Sequence, residues 1–181
     1  MQSTDRIVYM LWEKYALSSK KRVHVTLVAK VADFLACRLS ASFSDIHIDL
    51  SMLRTAALLH DIDSNVQFLP NETHPDAAVR ILRQEGLNEV ANIVKTHSLY
   101  AILDAGIMPK KWEEKVLYLS DKMVKYEIIT VDERFALWKN EQLPRESIEK
   151  MNLCYPMVKK LETEIFSYIQ LDPRLIRSYL E

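Results

Sequence analysis

Glycine occurs at only two of the 181 positions of this chain, Gly86 and Gly106. Phosphate-binding loops and the turns of all-β folds both depend on glycine, because it adopts backbone conformations that other residues avoid. Apolar residues instead recur at the three- and four-residue spacing of amphipathic helices along most of the chain. The sequence therefore predicts an all-α fold with about eight or nine helices, and it argues against a glycine-rich phosphate loop.

Composition and charge exclude several classes of partner. The formal net charge is −1, so no overall field favours a nucleic acid or a membrane surface. No apolar run approaches the roughly 18 residues that a membrane span requires. Cys37 and Cys154 lack the spacing of a zinc or redox pair, and the N-terminal residues do not resemble a signal peptide. We expect a cytoplasmic protein with reduced thiols and with neither a nucleic-acid nor a membrane partner.

A histidine and an aspartate stand side by side at the end of an apolar helical run, residues 56–61, Ala-Ala-Leu-Leu-His-Asp. Apolar residues precede His60 by seven, four and three positions, so its imidazole should point toward the core. Aspartate is almost never fully buried unless it is paired. For the pair alone, two interpretations are open: a metal-binding pair, or a hydrogen-bonded core histidine beside a solvated Asp61.

Two further histidines are predicted on the inner faces of helices, and a third at a helix start. His24 begins the apolar stripe of a helix that runs to about Leu39, and His97 follows three apolar residues at helical spacing. His74 precedes a proline, which favours the first helical position, and so lies at the start of a helix. Each has an ordinary alternative when taken alone, either a satisfied core histidine or a plain helix cap. His47 lies in a predicted surface loop and is not assigned to the site.

Asp121 interrupts the apolar face of a helix predicted over Trp112–Ile129. A lone buried carboxylate is costly, so this position requires a partner. Lys122 and Lys125 are candidates, although Lys122 should point about 100° away on a helix.

Taken together, these polar residues predict one metal centre. Several independent helix faces and junctions would each have to place a metal-ligating side chain inward by coincidence if no metal were bound. Imidazole and carboxylate ligands together suit Fe, Mn, Co, Ni or Zn, whereas Mg and Ca prefer an all-oxygen set. The predicted ligands are His24, His60, Asp61, His74, His97 and Asp121.

The order of these residues resembles that of the HD-domain phosphohydrolases, an all-helical family. The family pattern is a His, then His-Asp, then a distant Asp, each on a separate helix, and here these match His24, His60-Asp61 and Asp121. The extra histidines His74 and His97 match the members with two metal ions. The nearest resemblance is to the small bacterial enzymes that hydrolyse diadenosine tetraphosphate symmetrically, and it covers about residues 21–125.

The resemblance implies a metal-dependent hydrolase that cleaves a phosphoester or phosphoanhydride of a small phosphorylated substrate, with a nucleotide expected. Asp61 would bridge two divalent transition metal ions, one held with His24, His60 and Asp121, the other with His74 and His97. Iron is the first expectation for the metal. Asp61 and His60 would also be catalytic.

Two departures from the family pattern concern the phosphate charge. Relatives often continue the His-Asp pair with Ile, a small residue and a lysine, whereas this chain has Ile62, Asp63 and Ser64. After the histidine that matches His97, relatives of the diadenosine type tend to carry Thr-x-Gly, which is absent here. Other cations would have to meet the phosphate, and Lys122 is our first choice as a catalytic cation.

Two rival hypotheses remain open. One is a catalytically weak or inactive helical module that contains a metal and binds a nucleotide or a protein, which the serine at position 64 favours. The other is a nucleotidase with one metal ion, in which His74 and His97 contact phosphate.

The chain length fits one domain with a substantial core. We expect a single all-α domain over residues 1–181, with an HD-type metal core at about 20–126 and a helical extension at about 130–181. Pro156 predicts a kink or break in a long helix of the extension. Arg145–Glu181 has two interpretations, a homodimer contact or a lid over the site.

Overall fold

The computed structural model describes residues 3–180, with side chains from residue 5 onward. Met1, Gln2 and Glu181 lie outside this part, so the expectation that the N-terminal residues form no signal peptide falls partly outside the described residues. The described residues form nine α-helices and no strand, so the predicted all-α fold is confirmed. The helices are α1 (Ser3–Lys14), α2 (Ser19–Ser42), α3 (Leu50–Leu59), α4 (Asp76–Gln84), α5 (Asn88–Val94), α6 (Trp112–Lys122), α7 (Val131–Lys139), α8 (Arg145–Ile169) and α9 (Ile176–Leu180).

Helix α2 lies at the centre of the bundle and packs against α3, α6 and α8. Its inner face repeats small and branched apolar residues at helical spacing, and Val28, Ala32 and Leu35 are fully buried. The side chain of Ser18 accepts a hydrogen bond from Lys21 N and caps the first turn. This packing brings Asp61, just after the end of α3, and Asp121, near the end of α6, to the His24 side chain of α2.

The C-terminal helices share this core. Helix α8 packs against α2 and α6, and its buried residues Cys154, Val158 and Ile165 join the same hydrophobic cluster as those of α2. Pro156 does not break α8, which runs continuously from Arg145 to Ile169. The proline is exposed while the buried face on either side of it stays packed, so tertiary contacts hold the helix together. The division into a metal core and an extension stays a prediction.

One helix boundary was predicted wrongly. The helix expected over Trp112–Ile129 ends at Lys122, and the chain then turns, with an isolated antiparallel bridge between Val124 and Ile128. Met123 and Val124 are buried in this turn. Apolar residues that pack inside a turn give the same local pattern as one more helical turn, so spacing alone did not distinguish them.

The start of α4 also differs slightly from the prediction. The helix begins at Asp76, with Pro75 at its N-cap and His74 one residue earlier, joined to Pro75 by a cis peptide bond. His74 therefore belongs to the preceding loop rather than to the cap itself. Among the helices of residues 3–180, none combines the length and apolar character that crossing a bilayer would require.

Candidate metal centre

The six predicted ligands come from five separate segments and lie close together in the structure. The segments are α2, the end of α3, the loop before α4, the residues after α5, and α6, and they carry respectively His24, His60 with Asp61, His74, His97 and Asp121. The fifth histidine, His47, is exposed in the loop between α2 and α3. The helical spacing that predicted inward-facing imidazoles is thus matched by their arrangement.

His24, His60 and Asp121 form the more enclosed part of the site, which we call the inner group. Their ligand atoms all lie within 4.8 Å of one another. His24 Nε2 is 3.1 Å and His60 Nε2 is 3.5 Å from Asp121 Oδ1. Both imidazoles are buried, and the His60 side chain is completely so.

Asp61, Asp63 and His74 form a second cluster nearer the surface, which we call the outer group, and their ligand atoms also lie within 4.8 Å. The side chain of His74 is 38% exposed. His97 stands between the groups, because it clusters with His60 and Asp61 and its Nε2 is 2.9 Å from His74 Nε2.

The carboxylate of Asp61 faces both groups. Its Oδ2 is 3.7 Å from His24 Nε2 and 3.6 Å from His60 Nε2, whereas its Oδ1 is 3.5 Å from His74 Nε2. The two oxygens of one carboxylate are thus directed toward different sets of imidazoles. A carboxylate in this position can contact two neighbouring cations at once.

Each imidazole is oriented by a hydrogen bond from its Nδ1. Nδ1 of His24, His60 and His97 lies 2.9, 2.8 and 2.6 Å from the backbone carbonyls of residues 125, 57 and 94. Nδ1 of His74 lies 3.0 Å from both carboxylate oxygens of Asp63. Carbonyls and carboxylates only accept, so the proton is on Nδ1 in all four rings. Each Nε2 is then directed into the centre, as metal ligation requires.

Asp63 is a functional candidate that the sequence interpretation missed. It was noted only as a replacement for a small residue of the family pattern, yet its side chain is 1% exposed and contacts the His74 ring. The only signal in the sequence was a second aspartate two positions after Asp61, and nothing local to it indicated that it would be buried against His74.

The donor atoms fit a pair of transition metal ions. His60 Nε2 is buried and has no hydrogen-bond partner among the described residues. Buried polar atoms are rarely left in that state, and a lone pair that points at two carboxylates suits a bound cation. Four imidazole nitrogens with carboxylate oxygens match Fe, Mn, Co, Ni or Zn better than Mg or Ca.

Two lysines pair with the central carboxylates. Lys21 Nζ is 2.5 Å from Asp61 Oδ2, and Lys122 Nζ is 2.8 Å from Asp121 Oδ2 and also donates to the carbonyl of His97. The expectation that Lys122 points away from Asp121 was wrong, since α6 ends at this residue and its long side chain folds back. Lys122 is 1% exposed and holds Asp121; that it is a catalytic cation stays a prediction.

Neighbouring charges and burial shift the pKa values of the buried groups in different directions. Burial would raise the pKa of Asp61, but the charges of His60 and Lys21 outweigh it and lower that pKa. Burial would lower the pKa of His60, but Asp61 and Asp121 outweigh it and raise that pKa. The pKa of His97 falls well below its ordinary value because of burial and of the nearby His60 and His74. The pKa of Asp121 is lowered as well. Asp61 and Asp121 are therefore both anionic at neutral pH.

A cavity of about 430 Å³ opens onto these residues. This volume suits a small ligand. Helix α7 contributes Arg134 and Trp138 to its wall, and the following loop contributes Glu141. The sequence analysis placed this region in the helical extension, outside the metal core, because charged and aromatic residues on an amphipathic helix carry no signal of where that helix packs.

An all-helical domain that directs His, His-Asp and Asp from separate helices toward one cavity defines a recognisable class. The family model described as "HD domain" matches residues 23–145, which is more than half of the chain. The chain belongs to the HD domain family. The match extends through α7, and therefore includes the wall formed by Arg134 and Trp138.

Searches of curated proteins and of solved structures found no match to this chain.

Proposed function

We propose that this protein is a metal-dependent phosphohydrolase with a binuclear centre. The observation that supports it most directly is the carboxylate of Asp61, whose two oxygens face imidazoles of two different groups. Membership of the HD domain family, whose members typically bind divalent metals, supports the same proposal. The ligands proposed are His24, His60, Asp61, His74, His97 and Asp121.

In this proposal each residue has a defined task. His24, His60 and Asp121 would hold one ion, His74 and His97 would hold the other, and Asp61 would serve both. Bound there, two such ions would supply an activated water and offset the charge on a phosphoryl group. Asp63 orients the ring of His74, and Lys21 and Lys122 keep the two central carboxylates in place through their ammonium groups. Iron is the metal we propose first, with Mn, Co, Ni and Zn as alternatives.

The substrate we propose is a phosphoester or phosphoanhydride of a nucleotide. The cavity volume of about 430 Å³ and its mixture of cationic and aromatic side chains support a small phosphorylated molecule. Symmetrical cleavage of diadenosine tetraphosphate is the most specific form of this proposal, and it depends on the sequence resemblance alone.

The direct test is the metal content per chain of protein purified without chelator. We expect about two equivalents of a first-row transition metal in the wild type and about one in the double variant His74→Ala with His97→Ala, because the inner group stays complete. His47→Ala removes an exposed histidine and should keep both ions. The absence of any transition metal, with no uptake on reconstitution, would contradict the proposal.

The same samples separate the rival hypotheses. A nucleotidase with one metal ion would contain about one equivalent in both the wild type and the double variant. An inactive binding module would contain metal yet hydrolyse no phosphoester. The exposed side chain of Ser64, in place of the usual lysine, is the observation that keeps the inactive module under consideration.

A further inference from the structure

Arg134 is the one cation on the cavity wall that no carboxylate of the described residues pairs with. The three carboxylates of the wall are already engaged, Asp61 with Lys21, Asp121 with Lys122, and Glu141 with Lys125 at 3.2 Å. These pairs account for every other lysine and arginine in the lining. The wall of the cavity therefore carries an excess positive charge that is located at the guanidinium of α7.

The neighbours of Arg134 on its own helix do not neutralise it. Asp132 pairs with Lys159 at 2.9 Å and accepts a hydrogen bond from Tyr155. Glu133 accepts hydrogen bonds from Thr130 and caps the start of α7. Neither of these two acids lies in the cavity wall or pairs with Arg134. The guanidinium therefore has no counter-ion among the acids next to it on α7.

The guanidinium is partly removed from water as well. Nε and Nη1 of Arg134 are buried and have no hydrogen-bond partner within the described part of the chain. The guanidinium carbon lies 4.5 Å from the centre of the Trp138 ring, which fixes the plane of the group. Nη2 is not among these buried atoms and makes no hydrogen bond to the described residues, so it is the nitrogen of the guanidinium that a ligand in the cavity can reach.

We infer that Arg134 binds an anionic phosphate group of the substrate inside the cavity, beside the inner and outer groups. The inference rests on the proposed function, which supplies a substrate that carries phosphate. A guanidinium presents several N–H donors in one plane and matches phosphate oxygens better than an ammonium group does. Trp138 acts on the substrate through Arg134, as a positioning residue.

The test measures binding of inorganic phosphate to the Mn²⁺-loaded protein by calorimetric titration at constant ionic strength. Arg134→Met should weaken binding by about ten- to hundredfold, the effect expected when a charge-assisted hydrogen bond is lost. Arg134→Lys should keep part of the affinity because it keeps the charge. Arg145→Met is the matched control, since Arg145 is an exposed arginine that pairs with Glu149 outside the cavity.

Thermal unfolding separates ligand binding from a structural role. Without phosphate, Arg134→Met should unfold at about the same temperature as the wild type, because the guanidinium has no counter-ion or hydrogen-bond acceptor among the described residues to lose and the methionine side chain can still pack against Trp138. A clear fall in its unfolding temperature would assign the guanidinium to the scaffold and overturn the inference. Wild-type phosphate affinity in Arg134→Met, or no phosphate binding by the wild type, would overturn it too.

Metal content and hydrolysis of nucleoside phosphates and diadenosine tetraphosphate, measured on the same samples, keep the two proposals apart. A wild type that binds phosphate through Arg134 but hydrolyses none of these esters and anhydrides contradicts the proposed hydrolase and supports the binding role. An active enzyme whose phosphate affinity is unchanged by Arg134→Met contradicts only the role of Arg134.

Discussion

The inner and outer groups contain the same kinds of side chain, imidazoles and carboxylates, but hold their imidazoles by different means. In the inner group, backbone carbonyls accept the Nδ1 hydrogen bonds of His24 and His60. In the outer group, the side chain of Asp63 accepts the bond from His74. The groups also differ in exposure, since the side chain of His60 is 0% exposed and that of His74 is 38% exposed.

Because of this difference, substitutions should disturb the orientation of the inner imidazoles less than that of the outer imidazole. A backbone carbonyl stays in place whatever side chain its residue carries, so the inner imidazoles keep their orientation through most substitutions. The outer imidazole depends on one carboxylate that a single substitution removes. We therefore expect the inner group to bind its ion more tightly and to exchange it more slowly than the outer group.

The largest effect should come from Asp61→Asn, which breaks both groups at once. Its carboxylate oxygens face His60 on one side and His74 on the other, so the neutral amide weakens ligation of both ions. We expect less than one metal equivalent per chain and hydrolysis reduced by more than about a hundredfold, beyond the loss typical of groups that merely orient a ligand. Elemental analysis and a phosphodiesterase assay measure the two effects.

The control for this variant is Asp45→Asn, the same substitution at an exposed loop position. It should retain both ions and full activity. If Asp61→Asn kept two ions and turned over substrate like the wild type, the bridging role of Asp61 would be wrong.

A smaller and selective effect is expected for Asp63→Ala. Loss of its carboxylate frees the ring of His74, and groups that orient metal-binding histidines typically contribute about 10–100-fold to affinity. The affinity of one site should fall by that factor while the other is unchanged, as measured by metal titration against a competing chelator. Asp45→Ala serves as the matched control, and equal weakening of both sites would contradict the division into two groups.

The third prediction concerns the pH dependence of the free energy of unfolding in metal-free protein. The pKa of His97 lies well below its ordinary value of 6.5 in the folded state, so this ring gains a proton on unfolding below about that pH. Its contribution to stability is present above pH 6.5 and is lost as the pH falls, by up to about 1.4 kcal/mol per pH unit. The pKa of His60 is raised above 6.5 in the folded state. Its contribution to stability is therefore present below pH 6.5 and is lost as the pH rises through the raised pKa.

Denaturant unfolding between pH 5 and 7.5 tests this contrast. Relative to His97→Gln, the wild type should lose stability as the pH falls, whereas relative to His60→Gln it should lose stability as the pH rises. His47→Gln, at an exposed position, is the matched control variant. Parallel curves for the wild type and both core variants would refute the assigned protonation states.

The sequence predicted the parts of the site that depend only on the direction of a helix face. His24, His60 and Asp121 were found because their spacing from apolar neighbours determines which way they point. The pairing of Asp63 with His74 was missed because it joins two side chains 11 residues apart across a loop without regular structure. Arg134 was missed because its role depends on where α7 packs, which no local pattern encodes.

The turn that follows α6 should tolerate a substitution at position 125 better than a change in its number of residues. Lys125 offers His24 its main-chain oxygen, and bonds from Lys125 N to Glu127 O and from Ile129 N to Met123 O hold the turn in shape. A different amino acid at position 125 leaves that oxygen in place, whereas one residue inserted or removed within the turn displaces it. Substitutions at position 125 should therefore keep the orientation of His24, whereas insertions or deletions within the turn should lose it.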